Sequence, residues 1–222
     1  MSVHYTLGDK KAKLMKDFGM EHKIRIDFEP NGKCTVLSQD GSLISSFQTP
    51  YELAFNSQYG TPISNDDQFL FVGTWYNGLY CYEISTGNLL WKKGPGRVRT
   101  IIPIDNYVIV EMQGRGIYKR TIQTGDLVTV VKMSGIENLF QISENEIFAG
   151  PKRNRSFVYQ IPELIEKQTI LNSVLNPNDS LTFVILDCHK AEGHLVVSGW
   201  EEYPHKDYLQ KGSKSFERWI SA

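Results

Sequence analysis

The stretch Gly78-Leu79-Tyr80-Cys81-Tyr82-Glu83-Ile84-Ser85-Thr86-Gly87-Asn88-Leu89 returns in weaker form, 38 residues on, as Gly116-Ile117-Tyr118-Lys119-Arg120-Thr121-Ile122-Gln123-Thr124-Gly125-Asp126-Leu127. The Gly, Tyr, Ile, Thr-Gly and Leu positions stay in register. Such a repeat constrains the fold strongly: a unit this short cannot cover its own apolar face, so it must stack on its copies. Each copy holds a β-rich run followed by a glycine turn. Each is preceded by another β run, Phe69 to Gly73 in one case and Tyr107 to Glu111 in the other. Asn77-Gly78 is a hairpin signal, because both central positions of a type I′ turn need φ > 0. Ser85 to Asn88 is a second turn, and Leu89-Leu90-Trp91 begins the next strand.

The same texture extends along the chain. Lys23 to Phe28 and Lys33 to Leu37 alternate around Glu29-Pro30-Asn31-Gly32, and Asp40-Gly41 turns into Ser42 to Phe47. A degraded third copy runs through Ile147 to Gly150 and Ser156 to Ile161, with Pro162-Glu163 in the place of Thr-Gly. Leu181 to Leu186, His194 to Ser198 and Ser215 to Ile220 read as a last unit. Pro162 to Leu175 has the only spacing that resembles a helix, and it is weak. Short strands with a turn every few residues and a period near 40 indicate propeller blades. The expected fold is all-β, a small β-propeller of about five blades with short antiparallel strands. It forms one domain, 1–222, with blade-like units at 23–60, 61–97, 98–134, 135–175 and 176–222. Residues 1–22, with Lys10, Lys11, Lys13 and Lys16, are read as an N-terminal arm or closing strand.

Gly78, Leu79, Tyr80, Cys81, Glu83, Thr86, Gly87 and Trp91 together resemble the repeat of quinoprotein-type (PQQ-like) and WD-like β-propellers. In the PQQ-like pattern a Trp stands four residues after the Thr-Gly glycine. The second copy keeps its glycines and Thr124 but has Thr129 in place of that Trp, and the third keeps only apolar alternation. The resemblance implies that Gly87 makes a tight turn and that Trp91 packs on a neighbouring blade. Quinoprotein dehydrogenases of this type are larger, exported and use a metal beside the quinone. This chain has no vicinal Cys-Cys pair, and no cofactor is expected.

Charge narrows the function classes. Lys and Arg number 24 against 25 Asp and Glu, a net charge of −1. There is no basic excess of the kind that grips nucleic acid or anionic lipid, so neither is expected as a partner. No apolar run reaches the ~20 residues of a membrane span, and no secretory signal is read at the start. Three widely spaced cysteines, Cys34, Cys81 and Cys188, fit a reducing compartment, so a cytoplasmic location is expected.

Candidate chemistry is sparse. Asp187, Cys188, His189, Glu192 and His194 are donor types that zinc accepts, but they flank a hairpin and lack a second ligand pair at the usual spacing. Asp66-Asp67 reads as a solvated loop. Ser198 lies outside any Gly-x-Ser-x-Gly elbow, and Gly94-Pro95-Gly96 leads into a strand rather than a phosphate-binding helix. No catalytic or metal residue is assigned. What remains is loop-borne aromatic and basic surface: Trp75, Tyr76, Trp200, Tyr203 and Tyr59, with Arg153 and Arg155 in the basic turn Lys152-Arg153-Asn154-Arg155. Loops on a rigid scaffold carry binding, and Trp, Tyr and Arg dominate binding hot spots. The expectation is a non-enzymatic protein-binding propeller, such as an immunity or inhibitor protein that occludes a partner toxin. The alternative is a small-ligand-binding protein or enzyme using the central channel.

Overall fold

The computed structural model describes residues 23–29, 31–50, 63–64, 66–133, 136, 138–152, 155–177, 182–202 and 213–221. Its strands form five antiparallel sheets, in each of which sequence neighbours are also hydrogen-bonded neighbours. The first holds β1 (Ile24–Phe28), β2 (Lys33–Ser38) and β3 (Leu43–Gln48), and the second β4 (Phe69–Gly73), β5 (Leu79–Glu83) and β6 (Leu89–Lys93). The third is four-stranded: β7 (Val98–Ile104), β8 (Tyr107–Met112), β9 (Gly116–Thr121) and β10 (Leu127–Lys132). The fourth comprises β11 (Asn138–Ser143), β12 (Glu146–Lys152), β13 (Arg155–Gln160) and β14 (Ile165–Leu171), and the fifth β15 (Thr182–Ala191), β16 (His194–Glu202) and β17 (Ser213–Ser221). The chain clusters into two compact units, residues 1–131 and 132–222.

In the first unit, period-2 alternation is used on both faces of the second sheet. Leu70, Val72, Tyr80 and Tyr82 pack with Ile26, Phe28, Cys34 and Val36 of the first sheet. The intervening residues, Phe69, Phe71, Leu79 and Cys81, pack with Val98, Val108, Val110 and Met112 of the third. A strand buried on both sides reads as a continuous apolar run, which accounts for Phe69-Leu70-Phe71-Val72.

The sheets are also keyed at their Thr-Gly turns. Trp91 on β6 is 8% exposed and lies against the β9–β10 turn, where its Nε1–H donates to Ile122 O at 2.6 Å. A Cβ on Gly125 would stand 2.6 Å from that indole ring, and φ there is +67°. Glycine meets both demands, having no Cβ and a free left-handed region. The preceding sheet repeats the device: Phe47 on β3 stacks on Tyr82 with centroids 5.1 Å apart. A Cβ on Gly87 would lie 2.5 Å from Phe47 Cδ1. The pairing of aromatic with Thr-Gly turn is therefore made in space between successive sheets.

In the second unit, Glu146 at the start of β12 is 4% exposed. It receives Lys167 of β14 at 2.6 Å and Lys190 of β15 at 2.5 Å, tying the fourth sheet to the fifth. Burial works to raise its carboxyl pKa, but the two ammonium groups outweigh burial and hold it below the ordinary value. Both lysines are partly exposed, which weakens the pair energies. Glu146→Gln should cost about 1–2 kcal/mol near neutrality, read by urea unfolding. Because the folded pKa is depressed, this stabilisation is present above the unfolded value and disappears as pH falls through the folded one. The variant and the parent should therefore converge in acid; a gap that persists there would show that charge is not its source.

The weak helical spacing over 162–175 is corrected. Residues 165–171 are β14, paired along β13 from Gln160↔Ile165 to Arg155↔Leu171. Only α1 (Asn172–Leu175) is helical, a single turn. The need of β13 for a ladder partner overrides a marginal local pattern.

Candidate functional site

Three connections at one end of the second and third sheets meet in the first unit. They are the β4–β5 loop with Thr74 to Gly78, the β6–β7 connection through Gly94 to Arg97, and the β8–β9 turn at Gln113 to Arg115. Backbone hydrogen bonds lock the first two together. Gly78 N–H donates to Gly96 O at 3.0 Å, Gly96 N–H to Tyr76 O at 2.9 Å, and Val98 N–H to Thr74 O at 3.0 Å. Gly78 has φ +86°, and a Cβ there would stand 2.2 Å from Lys93 O, so the two loops approach as closely as backbones can. The third connection joins through Gln113 N–H, which donates to Arg97 O at 2.9 Å.

On this ledge the Arg97 guanidinium lies 3.5 Å from the centroid of the Trp75 ring. Its Nη1 donates to Gln113 Oε1 at 3.3 Å. A methyl group at Gly96 would stand 3.7 Å from Arg115 Nε, so the exposed Arg115 lies over the same glycine. Tyr76 is 70% exposed and Trp75 41%. Behind them Glu111 of β8 is 2% exposed, with Arg99 Nη1 3.9 Å from its Oε1. Its Oε2 has no hydrogen-bond partner among the described residues. Burial pushes the Glu111 carboxyl up to about 7, against the pull of Arg99, the Thr100 hydroxyl and Arg97.

Trp75 and Tyr76 are therefore brought together with one another and with Arg97, Arg99, Glu111 and Arg115, none of which stood out in the sequence. One signal was present: Glu111 interrupts the apolar run Tyr107 to Met112 at a position facing the interior. Trp200, expected in or beside a loop, is within strand β16, opposite Val184 and Ser215. Arg155 is exposed at the start of β13, opposite Lys152 and Leu171. Tyr59, Tyr203 and Arg153 lie outside the described residues.

Asp187 and His189 share an exposed face, with His189 Nδ1 3.2 Å from Asp187 Oδ2, while Cys188 between them is 1% exposed on the opposite face. No three His, Cys, Asp or Glu side chains gather as a metal site among the described residues. All three cysteines are free and buried. Burial pushes the Cys34 thiol up to about 12, with Asp27 adding to the shift, and Cys81 to about 12 as well. Such thiols stay protonated at neutral pH and are poor nucleophiles.

Stacked antiparallel sheets, built from consecutive strands and keyed turn to aromatic, define a propeller-type all-β fold. Solved structures agree. The chain is similar to BamB from Moraxella catarrhalis, a β-propeller repeat protein, with a TM-score of 0.59 and 14% identity over 82% of this chain and 55% of that one. It is also similar to the computationally designed Ika8 protein, with a TM-score of 0.59 and 15% identity over 90% of this chain and 56% of that one. The chain thus spans little more than half the length of either. No family model matches it, and no curated protein matches its sequence.

Proposed function

We propose that the chain is a non-enzymatic protein-binding β-propeller, and that it acts as an intracellular immunity or inhibitor protein covering the active site of a partner toxin. The observation that carries the reading is the ledge, where Tyr76 is 70% exposed beside a Trp75 ring already held by Arg97 at 3.5 Å. Exposed aromatics fixed before binding lose little entropy on association and make good anchors. The unreactive thiols weigh against a cysteine-based enzyme, and three free cysteines fit a reducing compartment.

The test is titration of the purified protein against the product of the adjoining gene, scored by binding and by inhibition of that protein's activity. Trp75→Ala together with Tyr76→Ala should weaken binding on the order of a hundredfold, as loss of two hot-spot residues does. Binding equal to the parent's would remove the ledge from the interface. Binding without inhibition would retain the interaction and reject the immunity role.

A further inference from the structure

The chain's net charge is −1, yet the ledge is locally basic. Lys92, Lys93, Arg97, Arg99 and Arg115 come from one stretch whose acidic residues are Asp105 and the buried Glu111. The cations are not equivalent. Lys92 stands over the Tyr80 ring at 5.0 Å, Lys93 reaches Asp126 at 3.6 Å, and Arg99 faces Glu111. Arg97 and Arg115 are different. Among the described residues Arg97 makes one side-chain hydrogen bond, from Nη1 to Gln113, and the Arg115 guanidinium makes none. Arg97 Nε is buried without a partner among the described residues, so stacking on Trp75 fixes the guanidinium in plane and leaves its Nη1–Nη2 end to meet an anion.

We propose that the ledge is an acceptor for carboxylates. Arg97, immobilised by Trp75 and Gln113, and Arg115 beside it clamp an Asp or Glu side chain of an acidic segment on a protein partner, with Tyr76 packing on that segment's apolar neighbour. The inference rests on the protein-binding reading and names the chemistry of the partner's contact.

Phosphate fits less well, for a reason visible in the backbone. Phosphate sites at glycine-rich turns use main-chain N–H groups that converge on the anion. Here three of those groups are already engaged: Gly78 and Gly96 donate within the ledge, and Asn77 N–H donates to Thr74 Oγ1 at 2.9 Å. Pro95 has no N–H to give. What the ledge can offer an anion is a pair of planar side-chain forks, which matches a carboxylate.

The experiment is fluorescence anisotropy with the full chain and three labelled peptides. One alternates Asp, Glu and Phe; one has Asn and Gln in place of every Asp and Glu; one has phosphoserine in place of every Asp. The acidic peptide should bind and the amide peptide should bind at least about tenfold more weakly, with affinity falling as salt rises. Arg97→Lys keeps the charge but loses the fork, and it should lose about tenfold in affinity. Lys33→Gln, on the first sheet, should bind like the parent, with all variants checked for parental thermal unfolding. Equal binding of the acidic and amide peptides, or parental binding by Arg97→Lys, overturns the proposal. Phosphoserine binding tenfold tighter than the acidic peptide overturns it in favour of a phosphate site. If the toxin-like partner is bound by Arg97→Lys as by the parent, but lost by the Trp75 and Tyr76 variant, the protein-binding reading stands and the carboxylate clamp falls. If the acidic peptide binds as expected while no protein partner is inhibited, the clamp stands and the immunity role falls.

Discussion

Trp91→Ala is expected to lower the thermal midpoint by about 10 °C, followed by circular dichroism. The indole is 8% exposed, and deleting a buried aromatic costs about 3–5 kcal/mol. A domain of this size loses roughly 2–4 °C per kcal/mol. Two effects combine at this position. The contact of Phe71 with Trp91, centroids 6.1 Å apart, is lost from the interior between the second and third sheets. The Ile122 carbonyl also loses the Nε1–H donor that reaches it at 2.6 Å. Trp91→Phe should recover most of the packing and none of the hydrogen bond, so it should fall between the parent and Trp91→Ala. Gly125→Ala attacks the same contact from the other side, since its Cβ would press on the ring at 2.6 Å. Once Trp91 is gone, Gly125→Ala should cost much less, leaving mainly the strain of φ +67°. Full additivity of the two substitutions would show that they do not share one contact.

Glu111→Gln is expected to stabilise the protein at about pH 8 by up to about 3 kcal/mol, the free energy of a carboxyl pKa raised from 4.5 to about 7. The sign is the reverse of that for Glu146. A folded pKa above the unfolded one means that the folded chain holds the extra proton between the two values. Stability is then greatest below the unfolded pKa and falls as pH rises towards the folded one. Glutamine mimics the neutral acid, so the decline in midpoint between about pH 5 and about pH 8 should flatten in the variant. Arg99 at 3.9 Å is beyond hydrogen-bond range and repays only part of the burial cost. Loss of stability in Glu111→Gln at about pH 8 would mean that the charged pair outweighs desolvation.

Much of the local architecture was legible in the chain. Asp40-Gly41 and the two Thr-Gly pairs mark turns, because each places a glycine where φ is positive. Asn77-Gly78 also marks a connection, but a five-residue loop, 74–78, in which Gly78 and not Asn77 has positive φ, rather than the type I′ hairpin expected. The runs between them alternate or stay apolar according to whether one or both faces are covered. The site was half legible. Trp75 and Tyr76 stand out because they fall between the matched parts of the repeat and no blade position explains them. Arg97 and Arg115 look like ordinary surface cations, and Glu111 looks like a flaw in an apolar strand. Nothing local says that Arg97 will lie over Trp75, 22 residues earlier. Trp200 shows the converse: its neighbours Gly199 and Glu201 suggest a loop, yet pairing with β15 and β17 draws it into a strand.

The sequence by itself determined most of the strands and turns, though not β14, together with the repeat and the consequence that units must stack, because tight turns and strand alternation depend on residues close in the chain. The tertiary structure alone decided which loops share an end, that Trp91 closes on the turn at Gly125, and that Trp75, Arg97 and Arg115 gather on one ledge. Those meetings depend on how one sheet lies on the next. Side-chain volume and backbone approach set that arrangement, and the periodicity of a single strand does not record it.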